Sequence, residues 1–135
     1  MTKAKKQFQP LTSNAVFLIY ESLVERNLVS FSANQSAKNK VEAIISSING
    51  SYFGKELYPT TEEKLVAYFY FIIKNHPFTD GNKRTASLAF SVACGLNNKT
   101  LKSKYILDEL AVFMESIQDP DHQSVIKIMA KDIFN

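Results

Sequence analysis

A chain of 135 residues, 45% of them hydrophobic and including ten Phe and six Tyr, has the length of one domain and enough apolar material for one core. Only four Gly and four Pro argue against a many-turned β-sandwich and favour helices. The net charge of +3 is spread along the chain, and without an aromatic-studded basic stripe it argues against a nucleic-acid binder.

Cys94 is the single cysteine, so no internal disulfide can form and a reducing compartment fits. In Ala93-Cys94-Gly95 it reads as a small buried hydrophobe rather than a nucleophile, since no base stands near it in sequence. The N-terminal lysines are not followed by an apolar stretch, so no signal peptide is expected. The longest apolar run, from Leu65 to Ile73, is too short to span a bilayer. A cytoplasmic protein is the expectation.

Residues 1–10 are polar, closed by Pro10, and read as a flexible lead-in, with residues 11–135 forming a single domain. A first helix is expected from Ser13 to Arg26, with Val16, Ile19, Tyr20 and Leu23 at helical spacing. A second spans about Ala33 to Asn49. Ser32 and Gln35 would form its capping box, Val41, Ile44, Ile45 and Ile48 its stripe, and Gly50 its stop. Residues 50–58 then suit a short β-hairpin flap, with aromatics flanking Gly54 and Pro59 closing it. Thr60 and Glu63 form a capping box for a helix to about Asn75, burying Leu65, Phe69, Ile72 and Ile73. After a loop, a helix from about Asn82 to Leu96 would face Leu88, Ala89, Val92 and Leu96 inward. Two helices remain, one carrying Ile106, Leu110, Phe113, Met114 and Ile117. The other opens near Asp119-Pro120 and carries Val125, Ile128, Met129 and Ile133. The expected fold is all-α, a compact bundle of about six helices with one flap.

The loop His76-Pro-Phe-Thr-Asp-Gly-Asn-Lys-Arg84 concentrates chemistry between two helical segments. Gly81 can adopt backbone angles closed to other residues, so that successive N–H groups converge on an anion. Asn82 is a favoured N-cap, and the open amides and positive dipole end of the helix make a phosphate seat. Lys83 and Arg84 would add charge there, Arg gripping two oxygens at once. Asp80 is a hard oxygen ligand suited to the magnesium that accompanies ATP. His76 offers an imidazole, the side-chain type that exchanges protons near neutral pH, to an attacking hydroxyl. The bland alternative is a helix–turn–helix connection, with Asp80-Gly81 a turn and His76 a helix end. A P-loop does not fit, because the earlier glycine and the preceding strand are missing. The Asp80–Asn82 cluster also lacks the ligand spacing of a calcium loop. His122 reads as a surface residue at a helix start.

At His76, Pro77, Phe78, Asp80, Gly81, Asn82 and Arg84 the chain resembles the Fic/Doc superfamily, whose signature is His-Pro-Phe-x-Asp/Glu-Gly-Asn-Gly-Arg. The likeness covers roughly residues 41–97. It takes in Phe53-Gly54, Leu57-Tyr58-Pro59-Thr60, Glu63-Lys64 and Lys74-Asn75, which look like the flap and pre-motif helix of the death-on-curing branch. The tail from Ser116 to Pro120 and the helix after it are similar to the C-terminal Fic module of RhuM-type virulence proteins. The resemblance implies that His76 deprotonates a Ser, Thr or Tyr hydroxyl of a protein substrate. Asp80 would hold Mg2+, while Gly81, Asn82, Lys83 and Arg84 would bind the phosphates of ATP. Phe78 would anchor the loop, and the flap residues Tyr52, Phe53, Gly54, Leu57 and Tyr58 would hold the target in extended form.

Two departures bear on the reaction. Lys83 stands where adenylyltransferases have Gly, and Ser87 where they often have a second Arg. Both features resemble Doc toxins, which transfer the γ-phosphate, so an ATP-dependent protein-phosphorylating transferase is favoured over AMPylation. A silent nucleotide- or partner-binding module and a plain helical adaptor are the other readings. No Ser or Thr is followed four residues later by Glu, so the family's inhibitory pattern is missing and any restraint would come from a separate antitoxin-like partner or from another part of a longer parent protein.

Overall fold

A computed structural model describes residues 7–118 and 121–135. Six helices and one hairpin follow in order: α1 Ser13–Glu25, α2 Gln35–Asn49, β1 Ser51–Tyr52, β2 Lys55–Glu56, α3 Thr61–Asn75, α4 Asn82–Leu96, α5 Leu107–Ser116 and α6 His122–Asp132. The all-α bundle with a short flap is therefore the observed fold. No helix among the described residues is long and apolar enough to cross a membrane.

α3 is the central post. It is buried from Lys64 to Tyr70 and again at Ile72 and Ile73, and it packs against α2, α4, α5 and α6. A helix apolar nearly all round can only be stable in such a position. Its start is fixed by Thr60, whose hydroxyl accepts from the Glu63 amide at 3.1 Å. The reciprocal half of the expected box is not made, since Glu63 Oε2 has no partner. α2 buries all four expected residues and Ala37. Its cap is Asn34, which accepts from the Ala37 amide at 2.8 Å, and not Ser32 with Gln35. The Gln35 amide instead donates along the helix to Asn39. Gly50 ends the helix because a Cβ there would stand 2.8 Å from the Ser46 carbonyl oxygen.

Three expected faces are met only in part: Ala89, Leu110, Met114, Met129 and Ile133 are buried as expected, and the other large residues differ. α4 turns Thr85, Ala86, Ala89, Phe90, Ala93 and Cys94 inward, while Leu88, Val92 and Leu96 are exposed. The alanines let α4 press closely onto α3; Ala89 was expected there, while a search for large apolar residues at helical spacing overlooks Ala86 and Ala93. In α5 the inward set is Leu110, Ala111 and Met114, with Ile106 and Phe113 exposed. In α6 it is Ile126, Met129 and Ala130 with Ile133 just beyond, and Ile128 is exposed. The Asp119-Pro120 start expected for α6 lies outside the described residues; the helix itself opens at His122, capped by Asp121 accepting from the Ser124 amide. His122 is exposed at that start, and its Nδ1 lies 2.6 Å from the Tyr70 hydroxyl. Cys94 is buried, and burial pushes its thiol up to about 12, in keeping with a structural role.

Of the expected lead-in, residues 1–6 lie outside the described residues. Residues 7–10 are tied to the end of α4, where the Gln9 amide donates to Asn97 Oδ1 at 2.8 Å and Asn97 Nδ2 donates to the Gln9 carbonyl at 2.9 Å. Nearby, Lys99 and Glu62 pair at 2.6 Å. That hydrogen bond, opposed by burial, holds the Glu62 carboxyl below its ordinary value. A depressed folded-state value contributes stability above the ordinary Glu range, and the contribution is lost as pH falls through the lowered value. The pair is about one-third exposed, so the effect is small. Acid unfolding of Glu62→Gln is accordingly expected to differ from the parent at neutral pH and to converge with it below the carboxylate range.

Candidate active site

The loop between α3 and α4 is built by two left-handed residues. His76 ends α3 at φ 43° and ψ 60°, and Gly81 opens α4 at φ 78° and ψ 17°. His, with Asn and Asp, is among the few non-glycine residues that enter this region readily. Gly81 has no substitute. A Cβ there would stand 2.5 Å from Cγ2 of the buried Val29, in a conformation already strained for L-residues.

Gly81 is thus the N-cap, and Asn82 is the first helical residue, not the cap expected from its type. Its side chain reaches back instead. Asn82 Oδ1 accepts from the Phe78 amide at 3.0 Å, and Nδ2 donates to the Phe78 carbonyl at 2.9 Å. This two-point clamp closes Phe78–Asn82 into a ring. Phe78 is buried and stacks on Tyr20, with ring centres 3.8 Å apart and planes 8° from parallel. The inward anchor implied for Phe78 is what the structure holds. Burial first, then the charges of Asp80 and Glu21, push the Tyr20 hydroxyl above its ordinary range. Thr85 is the first residue of α4 whose amide finds a backbone acceptor, Gly81 O at 2.9 Å. Helix geometry leaves the amides of Asn82, Lys83 and Arg84 open ahead of it.

These groups share one cavity of about 510 Å3. His76, Thr79 and Asp80 line one part, Gly81 to Arg84 another, and Leu28 and Glu115 complete it. Lys83 does not plug it. Both Glu115 carboxylate oxygens accept from Lys83 Nζ at 3.1 Å. Glu115 is held in turn by Lys74, whose Nζ donates to the Glu115 carbonyl at 3.3 Å and also to the Ile117 carbonyl. Arg84 Nη1 donates to the Leu28 carbonyl at 2.8 Å, which leaves the rest of its guanidinium for another acceptor. Positive charge, open amides and an imidazole therefore meet around space for an anion. Glu115 was not legible as part of the site. It stands far along the chain in an ordinary amphipathic helix, and only the packing of α5 brings it here.

Asp80 is exposed at the rim, and the described residues hold no cluster of three or more potential His, Cys, Asp or Glu ligands. One carboxylate beside a cavity lined by open amides and cationic side chains would suit magnesium, which commonly takes one or two protein carboxylates and fills its sphere with phosphate and water.

The flap is a two-residue hairpin. Ser51 pairs with Glu56 and Tyr52 with Lys55, and the turn residues Phe53 and Gly54 have φ of 51° and 75°. Positive φ at both is the primed turn that matches strand twist. Phe53 is 106% exposed, so a bulky aromatic stands in both a strained conformation and water. Tyr52 and Leu57 are exposed too. Tyr58 is not available to a target in the way expected: it is buried and packs beside Phe71. The base of the flap is pinned by Lys64, only 5% exposed, which pairs with Glu56 at 3.1 Å and donates to the Tyr58 carbonyl.

Fold and cavity together define an all-helical domain with an anion seat at a helix start and an imidazole at its rim. The Fic/DOC family model matches residues 10–94, more than half of the chain. The chain belongs to the Fic/DOC family, which points to a Fic-type transferase in general. No curated protein and no solved structure matches it.

Proposed function

We propose that this domain transfers the terminal phosphoryl group of ATP to a Ser, Thr or Tyr hydroxyl of another protein. The observation that carries the proposal is the shared cavity, in which His76 lines the same space as the open amides after Gly81 and the Asp80, Lys83 and Arg84 side chains. Those amides and Arg84 bind phosphate oxygens, and Lys83 neutralises charge beside them. Asp80 holds Mg2+, which supplies charge neutralisation to the phosphates when bound. His76 accepts the proton of the target hydroxyl as its oxygen bonds to the γ-phosphorus. The bond from that phosphorus to the β–γ bridging oxygen breaks, and ADP leaves with the electron pair. The exposed edge and tip of the flap hold the target segment extended, by strand addition. Phosphorylation is preferred to AMPylation because Lys83 stands where adenylyltransferases have Gly and Ser87 where they often have a second Arg, as in the phosphorylating branch the chain resembles.

The test is to incubate the protein with lysate and ATP labelled in either the α- or the γ-phosphate, and to weigh the modified peptides. Label from the γ-position alone is expected. AMP-sized additions would replace phosphorylation with adenylylation. ATP binding without any modified peptide would support a silent nucleotide-binding module, a reading favoured by the carboxylate of Glu115 inside an anion site.

Glu115 also bears on restraint. A separate antitoxin-like partner is one source of restraint, yet Glu115 itself engages Lys83 where a phosphate would. Glu115→Gln removes the repelling charge and frees Lys83. Both partners are over 40% exposed, so the gain in ATP affinity, read by calorimetry, is expected to be modest at about two- to fivefold. Lys64→Met acts elsewhere. It keeps the apolar stem but leaves Glu56 and the Tyr58 carbonyl unpaired, costing about 1–3 kcal/mol. Target modification is expected to fall with ATP affinity unchanged; equal loss of both would disconnect the flap from target binding.

A further inference from the structure

We infer that a cavity between α2 and α3 receives a side chain of the protein being modified, an aromatic or aliphatic residue with an acidic neighbour. The inference rests on the transfer proposed at His76 and names what the target must carry beside its hydroxyl. The cavity measures about 500 Å3, ample for one large side chain. Lys40, Ala43, Ile44 and Ser47 of α2 form one wall, and Phe71 and Asn75 of α3 the other. It shares no lining residue with the anion cavity, yet Asn75 is bonded to His76, which lines that one. Consecutive Cα atoms stand about 3.8 Å apart. A target whose hydroxyl reaches His76 therefore passes this cavity within a few residues.

The path of the target leads the same way. The flap joins the end of α2 to the start of α3, whereas His76 follows the far end of α3. The 15 residues of α3 rise by about 22 Å, a length that an extended strand covers in about seven residues. α2 and α3 pack against each other, and the direct line from flap to His76 runs along their seam, where the cavity lies.

The walls select the guest. Phe71 is only half-buried, although its ring meets His122 at 5.4 Å and Tyr58 at 5.9 Å. An apolar ring left partly in water is stabilised by an apolar guest, and an aromatic guest adds ring–ring contact. Ile44 and Ala43 extend the same apolar surface across the seam. Lys40 is the one charged residue of the lining. It is exposed and makes no ion pair among the described residues, so it favours a carboxylate beside the guest. Ser47 and Asn75 offer a hydroxyl and an amide to the backbone of the target.

The experiment immobilises the full chain and selects from a synthetic peptide library with a fixed central Ser and varied flanks. Retained peptides are expected to be enriched about tenfold in Phe, Tyr, Leu or Ile at one position near the Ser, with Asp or Glu beside it. Lys40→Glu is expected to turn the acidic preference into a basic one. Ala43→Phe fills the cavity and is expected to erase the apolar preference. Both positions are exposed, so the fold is kept, and ATP affinity by calorimetry should match the parent. A retained pool without preference, or preferences that both variants leave intact, would overturn the inference. So would a chain that retains no peptide, and transfer of γ-label to lysate proteins would then keep the proposed reaction standing alone. Selection with both preferences but no transferred label would support the cavity and overturn the reaction it serves.

Discussion

Replacement of His76 by Ala is expected to lower target modification by about 10²–10⁴-fold, the range for losing a positioned general base. ATP affinity should stay close to that of the parent. His76 is exposed and makes no side-chain hydrogen bond among the described residues, so stability should move by no more than about 0.5 kcal/mol. Its left-handed backbone is the complication, because Ala is less at ease there than His. His76→Asn separates the two effects, since Asn tolerates that conformation yet cannot serve as the base. Both variants should lose turnover equally. Retained activity in the Asn variant would mean that the imidazole shapes the loop and takes no proton.

Gly81→Ala attacks the cradle itself. The new methyl meets Val29 Cγ2 at 2.5 Å, and the backbone sits at φ 78°. Strain and overpacking cost about 1–3 kcal/mol each. Thermal unfolding should therefore shift down by several degrees, and ATP binding should vanish even where the variant is fully folded. Adding Val29→Ala makes room for the methyl but leaves the backbone strain. The double variant should regain part of the stability and little of the affinity. Normal ATP binding by Gly81→Ala would separate the anion site from this turn.

The order and type of the elements could be read because their signals are local. Thr60 before α3, a short turn at Gly54 and a run of apolar residues in α3 each act within a few positions. Faces were harder. Beside the expected Ala89, α4 buries Ala86 and Ala93, whose small side chains give no periodic signal of their own, so the exposed Leu88, Val92 and Leu96 looked like part of the core stripe. Within the site, His76 and Gly81 to Arg84 were visible as one segment. The back-reach of Asn82 to Phe78 was not, since residue type favours it as a cap and only the left-handed turn at Gly81 moves the cap back by one. Glu115 and the cavity between α2 and α3 depend on tertiary packing, which no local pattern encodes.

The encasement of α3 has a dynamic corollary. A helix covered by four others can release its central amides to solvent only when the whole domain opens, so these should be the slowest protons to exchange. His76 closes that helix, so its backbone leaves directly from the most protected element of the domain.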